Sequence, residues 1–110
     1  EKGRVFGMEL LTELVKKSRK VLTGYKNVHV IAKNGTQGLP DKSPFDRIIV
    51  SAAVNEIPHA LLHQLKHNGI LVAPKGSRFE QSLVVIQRKG NVFEIKKQVP
   101  GFLFVPFVGE

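Results

Sequence analysis

A single acidic residue, Glu9, follows the first apolar run of the chain, Val5-Phe6-Gly7-Met8. The run has the length and composition of a buried strand, so Glu9 is expected at the carboxyl end of that strand. Ligands of open parallel sheets bind beyond the carboxyl ends of the strands, where a carboxylate can accept hydrogen bonds from both hydroxyls of a ribose. An acid at a helix start, stabilised by the helix dipole, explains the same position, and both interpretations stand.

A second candidate is the turn Asn34-Gly35-Thr36, which follows the apolar run Val28-His29-Val30-Ile31-Ala32. If that run is a parallel strand, the turn lies at the same edge of the sheet as Glu9. The side-chain amide and exposed backbone groups of the turn can contact the edge of an adenine ring. A plain turn without a ligand explains the same residues, and position alone favours it.

Three histidines, His59, His63 and His67, recur every four residues. At this spacing two side chains on one helix can bind a metal ion. No carboxylate lies at a suitable spacing, and Asn68-Gly69 is expected to end the helix before His67. We therefore predict that the histidines form solvated surface and that the chain holds no metal.

The sequence contains no motif that would identify a catalytic residue. Its serines lack the G-x-S-x-G elbow of hydrolases. A phosphate-binding P-loop and a G-x-G-x-x-G motif are both missing from the chain. Catalytic residues therefore stay unassigned.

The hydrophobic pattern predicts elements that would position these residues. Alternating strands and helices imply a parallel sheet with right-handed crossovers, and the last strands follow one another without helices. The prediction is an α/β fold in which antiparallel strands extend one edge of a parallel sheet. Strands are expected at 5–8, 28–32, 45–52, 70–73, 83–87, 92–96 and 102–108, and helices at 10–22 and 58–66.

Composition limits the classes of protein that this chain can represent. The 110 residues allow one domain at most, and they include 17 Lys and Arg, 9 Asp and Glu, and no Cys. The lack of cysteine excludes disulfides and thiolate zinc sites and fits a cytoplasmic protein. The apolar runs are too short to span a membrane. Nucleic acid is not the expected partner, because the few aromatic residues do not alternate with the basic clusters.

Several blocks of the sequence together resemble the protein-L-isoaspartate O-methyltransferase family. The resemblance covers nearly the whole chain and corresponds to the C-terminal two-thirds of the family. The Asp-x-Ile-Ile-Val-x-Ala-Ala block and the terminal Phe-Val-Pro block are specific in combination, whereas either alone is weak. The resembling blocks are 6–10, 34–40, 44–53, 56–66, 69–74 and 104–110.

The resemblance implies a Rossmann-like methyltransferase sheet and a repair reaction on damaged proteins. A methyl group would pass from S-adenosylmethionine to the free α-carboxylate of an isoaspartyl residue, and the ester would then collapse to a succinimide. The carboxylate is already ionised and the sulfonium already activated, so the catalyst mainly holds the reacting atoms in line. Isoaspartyl-containing proteins or peptides are the implied partners.

The resemblance also implies roles for individual residues, according to their positions in the family pattern. Glu9 would bind the ribose hydroxyls, and Asn34-Gly35 would contact the adenine. The implied cofactor-binding residues are Glu9, Leu10, Asn34, Gly35 and Thr36. The implied substrate-binding residues are Ser51, Ala52, Ala53, Val105 and Pro106.

The sequence departs from the family pattern in two single residues and in one large feature. Asn34 stands where the family usually has Asp, and Leu103 stands where it usually has Arg. The glycine-rich cofactor loop and the first central strand of the sheet are absent. Residues 1–110 therefore represent a partial methyltransferase-like α/β domain, and the activity of this chain alone is uncertain.

The absent strand would lie between the strands at 5–8 and 46–51, so each of them would have an unpaired edge. Such edges promote association, and buried unpaired backbone groups are not tolerated. We therefore expect a longer natural chain with a preceding segment, a second copy that supplies strands, or a rearranged sheet. A compact monomer with an open gap is the least expected arrangement.

One alternative to an enzyme is a non-catalytic interaction module. Such a module would bind a partner through the open strand edges or through the basic helix that carries Lys16, Lys17 and Lys20. Nucleic-acid binding by the same basic residues is a further alternative, and it predicts an affinity that falls steeply with salt.

Overall fold

The computed structural model describes residues 3–9, 12–32, 35–77 and 79–102 of the chain. The chain divides into two compact units, unit 1 with Glu1–Gly35 and unit 2 with Thr36–Val108. The strands of the described residues are β1 (Val5–Glu9), β2 (Val28–Ala32), β3 (Phe45–Ile49), β4 (Leu65–Gly76), β5 (Gln81–Lys89) and β6 (Val92–Phe102). The helices are α1 (Thr12–Val21) and α2 (His59–His63), with 3-10 turns at Gly35–Gln37 and Pro40–Lys42.

Unit 1 consists of the parallel pair β1–β2 and the connecting helix α1. The two strands pair in register from Val5 with Val28 to Glu9 with Ala32. In the described part of this unit, Val15 of α1 is the one buried hydrophobic residue, whereas Leu14 and Val21 are 43% and 72% exposed. The apolar residues Leu14 and Val21 of the predicted helix are therefore not buried, because two strands cover only a narrow stripe of a helix.

Unit 2 contains a four-stranded sheet in the order β3-β4-β5-β6. The β3–β4 pair is parallel, and the β4–β5 and β5–β6 pairs are antiparallel. The predicted combination of parallel strands with an antiparallel C-terminal extension is therefore confirmed. Gly90-Asn91 connects β5 to β6 in a hairpin, and Gly90 has the positive φ of 61° that such a turn requires.

The core of unit 2 lies between α2 and one face of the sheet. Leu71 and Ala73 of β4 are fully buried, and they pair with Ile86 and Val84 of β5. Since alternate residues of a strand point to the same face, these four side chains form one apolar surface. The core cluster consists of Val50, Val54, Ile57, Leu61, Leu62, Leu65, Leu71, Ala73, Val84 and Ile86.

The helix predicted at 58–66 ends earlier, at His63, and β4 already begins at Leu65. The backbone carbonyl of Gln64 accepts a hydrogen bond from the N–H of Phe45 (2.7 Å), so it joins the sheet and not the helix. The guanidinium of Arg88 donates to the carbonyls of His63 (2.9 Å) and Leu65 (2.8 Å). These contacts satisfy carbonyl groups that a longer helix would have paired internally.

The predicted strands at 92–96 and 102–108 are also corrected. One continuous strand, β6, runs from Val92 to Phe102 because β5 supplies partners along its whole length, with register shifts at two places. The rest of the predicted last strand, 103–108, lies outside the described residues.

In the part of the chain that the structure describes, β1 pairs only with β2, and β3 pairs only with β4. Each of these two strands therefore has one edge without a strand partner. Ile49, the last residue of β3, is 78% exposed.

Candidate functional site

In unit 1 the carboxyl ends of β1 and β2 carry the predicted nucleoside-binding residues. Glu9 is the last residue of β1 and pairs in register with Ala32, the last residue of β2. The turn Asn34-Gly35-Thr36 therefore starts two residues beyond the strand end that adjoins Glu9. Leu10 and Asn34 themselves lie outside the described residues. The backbone thus places Glu9 and the last residue of β2 at the same end of the parallel pair.

The turn continues into a loop of unit 2 that the Gln64 side chain holds in place. Oε1 of Gln64 accepts a hydrogen bond from the backbone N–H of Leu39 (2.8 Å), and Nε2 donates to the carbonyl of Gln37 (3.0 Å). Gln64 is only 7% exposed, and its hydrogen bond with Leu39 is buried while the one with Gln37 is partly buried. The described end of the turn, Thr36, adjoins this fixed loop.

Gly38 allows the Gln64 amide to approach the backbone of this loop. Its φ of 63° lies in the left-handed region, and a Cβ at this position would lie 2.3 Å from Oε1 of Gln64. Only glycine therefore permits both the backbone conformation and the close approach of the amide. The sequence did not predict that Gln64 binds this loop. A polar residue within the apolar series Leu61, Leu62 and Leu65 was the available signal.

The predicted substrate-binding residues Ser51, Ala52 and Ala53 follow β3 in unit 2. Ser51 is exposed, Ala52 is half-buried and Ala53 is buried. The next residue, Val54, fixes the segment to β4: its N–H donates to the carbonyl of Pro74 (3.0 Å), and its carbonyl accepts from Gly76 (2.9 Å). The segment is therefore rigid at its inner end, while Ser51 faces solvent.

The other two predicted substrate-binding residues, Val105 and Pro106, lie outside the described residues. Of the five predicted substrate-binding residues, the structure thus describes Ser51, Ala52 and Ala53, which are consecutive residues of unit 2. Gly35 and Thr36 belong to one 3-10 turn.

The three histidines separate into two structural settings. His59 and His63 stack at the two ends of α2, with ring centroids 6.1 Å apart, and His63 packs edge-on against Phe93. His67 lies in β4, where its Nδ1 accepts a hydrogen bond from the N–H of Gly90 (3.0 Å). Within the described residues no group of three His, Cys, Asp or Glu could hold a metal ion.

No helix in the described ranges is long and apolar enough to cross a membrane. The longest of them, α1, has ten residues.

The fold, together with its similarity to solved structures, defines a class, the Rossmann-like α/β methyltransferases. A solved structure from Plasmodium falciparum, assigned as a protein-L-isoaspartate O-methyltransferase in complex with S-adenosyl-L-homocysteine, superposes with a TM-score of 0.81. It is 27% identical in sequence, and the match covers 97% of this chain and 53% of that protein.

Sequence comparison identifies the family within that class. A family model described as protein-L-isoaspartate(D-aspartate) O-methyltransferase matches residues 1–110. The protein-L-isoaspartate O-methyltransferase of Staphylothermus marinus is 44% identical over 112 residues, and the match covers 99% of this chain. That of Pyrococcus horikoshii is 44% identical over 113 residues and also covers 99%. The chain belongs to the protein-L-isoaspartate(D-aspartate) O-methyltransferase family.

The chain spans about half the length of the curated relatives that it matches. The share is 50% of the Staphylothermus marinus protein and 51% of the Pyrococcus horikoshii protein. This share is smaller than the two-thirds expected from the sequence pattern.

Proposed function

We propose that this chain is the part of a protein-L-isoaspartate O-methyltransferase that holds the nucleoside half of the cofactor and one wall of the substrate site. The observation that carries the proposal is the similarity to a structure in complex with S-adenosyl-L-homocysteine, which extends over 97% of this chain. The proposed reaction is methylation of isoaspartyl α-carboxylates in damaged proteins, in the cytoplasm.

The residues at the carboxyl ends of β1 and β2 have the residue types and the positions that a nucleoside site needs. Glu9 ends β1 beside the end of β2, so a carboxylate and a turn follow two adjacent parallel strands. In this proposal the carboxylate of Glu9 accepts hydrogen bonds from the ribose hydroxyls, as acids do in nucleotide-binding folds. The turn Asn34-Gly35-Thr36 contacts the adenine, and Gln64 supports the loop that follows it.

S-adenosylmethionine, when bound, supplies a methyl group that is already activated for transfer. The contribution of this chain is then to orient the substrate and to bind the nucleoside, since the carboxylate nucleophile needs no base. Ser51 is exposed and its hydroxyl can donate a hydrogen bond to the substrate peptide, while Ala52 and Ala53 leave space beside it. Leu10, Val105 and Pro106 complete the proposed set of binding residues.

The chain lacks the glycine-rich loop, so the proposal assigns the methionine half of the cofactor to residues outside this sequence. We propose that a preceding segment or a second copy of the chain supplies them. In either case, residues 1–110 are a partial methyltransferase-like α/β domain. This part of the proposal is supported by the strand order of the described residues, in which β1 pairs with β2 and β3 pairs with β4 at one end of its sheet.

Titration of the chain with S-adenosylhomocysteine by calorimetry tests the nucleoside site. Glu9→Ala is expected to weaken binding by about 1–3 kcal/mol, the usual range for hydrogen bonds to a charged group. Glu13→Ala is the matched control, because Glu13 is an exposed acid in the first turn of α1. Equal affinity of the two variants would reject the ribose assignment, and no binding at millimolar ligand would favour an interaction module.

A further inference from the structure

A hollow of roughly 730 Å³ lies at the opposite end of the β1–β2 pair from the proposed cofactor site. Ligand sites of small molecules typically have volumes of roughly 300–1,000 Å³. The hollow lies at the amino ends of the two strands. A five-residue strand is roughly 15 Å long, so the hollow is about that far from the carboxyl ends. The lining residues are Gly3, Arg4, Gly24, Tyr25, Lys26, Asn27 and His29.

Hydrogen bonds fix the walls of this hollow. The backbone N–H of Val5 donates to the carbonyl of Asn27 (2.8 Å), and Nδ2 of Asn27 donates to the carbonyl of Gly3 (3.0 Å). The N–H of Val28 donates to the carbonyl of Tyr25 (3.2 Å). The segments before β1 and before β2 are thus tied to each other, so the lining side chains start from a defined backbone.

The lining is cationic. Arg4 and Lys26 contribute two cationic side chains, His29 also belongs to the lining, and none of the lining residues that the structure describes carries a carboxylate. The Arg4 guanidinium lies 5.9 Å from the centroid of the Phe6 ring, which in turn stacks on His29 at 5.3 Å. Residues 1–35 contain eight Lys and Arg against three Asp and Glu, so the surrounding field also favours an anion.

An aromatic ring is also present. Tyr25 is 60% exposed, although it belongs to the lining. Exposed aromatic rings beside Lys and Arg are the usual means of binding a base together with its phosphate. In the sequence the basic clusters and the aromatic residues look separate, and the fold brings Arg4, Tyr25 and His29 together from three segments.

We propose that this hollow binds a nucleoside phosphate, with the phosphate at Arg4 and Lys26 and the base against Tyr25. The ligand is a free nucleotide or one nucleotide of a single-stranded nucleic acid, since both present the same chemistry. The site is separate from the proposed cofactor site, and the proposal does not depend on methyltransferase activity.

The test uses uridine monophosphate and a labelled oligothymidylate as probes, with S-adenosylhomocysteine present to occupy any adenosine site. Gly24 provides a matched pair of variants, because a Cβ at this position meets no heavy atom within 4 Å. Gly24→Glu places a negative charge at the hollow, and Gly24→Lys places a positive charge there on the same backbone. We expect Gly24→Glu to weaken binding about tenfold and Gly24→Lys to preserve it.

Arg4→Gln is a second variant that keeps a long side chain and removes the charge, and Lys96→Gln on β6 is its control. Arg4→Gln is expected to weaken binding, and Lys96→Gln is expected to leave it unchanged. The proposal is supported if at least one probe binds and if Gly24→Glu and Arg4→Gln both weaken that binding. The probe that binds then shows whether the ligand is a free nucleotide, a nucleotide of a single strand, or either. Absence of binding by both probes, or equal binding by Gly24→Glu, Gly24→Lys and Arg4→Gln, would overturn the proposal.

Discussion

Unit 1 and unit 2 both contain strands and a helix, but they differ in how much apolar surface they bury. Unit 2 has a core cluster of ten buried side chains, whereas Val15 is the one buried hydrophobic residue in the described part of unit 1. Burial of apolar surface is the main favourable term in folding, so the unit with the larger core is expected to be the more stable one. We therefore expect unit 2 to supply most of the stability of this chain, while unit 1 carries the proposed nucleoside residue Glu9.

Substitutions of buried residues in the two units test this difference in stability most strongly. Leu71→Ala removes a fully buried side chain from unit 2 and is expected to lower the free energy of unfolding by about 2–5 kcal/mol. Val15→Ala removes less apolar volume. The expected loss of stability is about 0.8 kcal/mol for each buried methylene equivalent, and it should affect mainly unit 1. Urea denaturation measures the first change, and amide exchange in β1 and β2 reports the second. An equal loss of global stability in both variants would contradict the comparison.

A smaller effect is expected at the loop that Gln64 supports. Gly38→Ala combines an unfavourable left-handed conformation with a contact to the Gln64 amide, so we expect a loss of about 2–4 kcal/mol. Gly90→Ala is the matched control, because Gly90 has a similar φ of 61° and open space around it. Thermal unfolding of both variants measures the difference. If Gly90→Ala costs as much as Gly38→Ala, the contact with Gln64 has no energetic role.

The smallest change in stability is expected at the open edge of β3. Ile49→Lys alters a side chain that is 78% exposed, so its effect on folding should stay within about 0.5 kcal/mol. A charge on an open edge opposes strand pairing between molecules, so self-association should decrease. Ile95→Lys on β6 is the control, since Ile95 is 61% exposed in a strand that already carries Lys96 and Lys97. Sedimentation velocity compares the two variants, and equal association by both would reject a role for the β3 edge.

The order of the elements could be predicted from the sequence because each strand and helix has its own local pattern. The apolar run before Glu9 and the Pro58 that precedes α2 are examples of such local signals. The early end of α2 could not be predicted, since it depends on a hydrogen bond from Phe45 and on the guanidinium of Arg88, both distant in sequence.

For the candidate site, the sequence predicted which residues follow the strand ends, and the structure describes the backbone that positions them. Glu9 beside Ala32 follows from the parallel pairing that the strand–helix–strand order implies. The role of Gln64 did not follow, because its position among leucines marks it as unusual but does not show that it bonds Leu39, 25 residues away. The cationic hollow was missed for the same reason, since its residues come from three separate segments.

Hydrogen exchange of the chain with and without S-adenosylhomocysteine tests most directly that these residues hold the nucleoside half of the cofactor. We expect added protection at the carboxyl ends of β1 and β2 and in residues 35–39, with none in β6. The Glu9→Ala variant should lose that protection. Ligand-dependent protection confined to β5 and β6, or none at saturating ligand, would contradict the account.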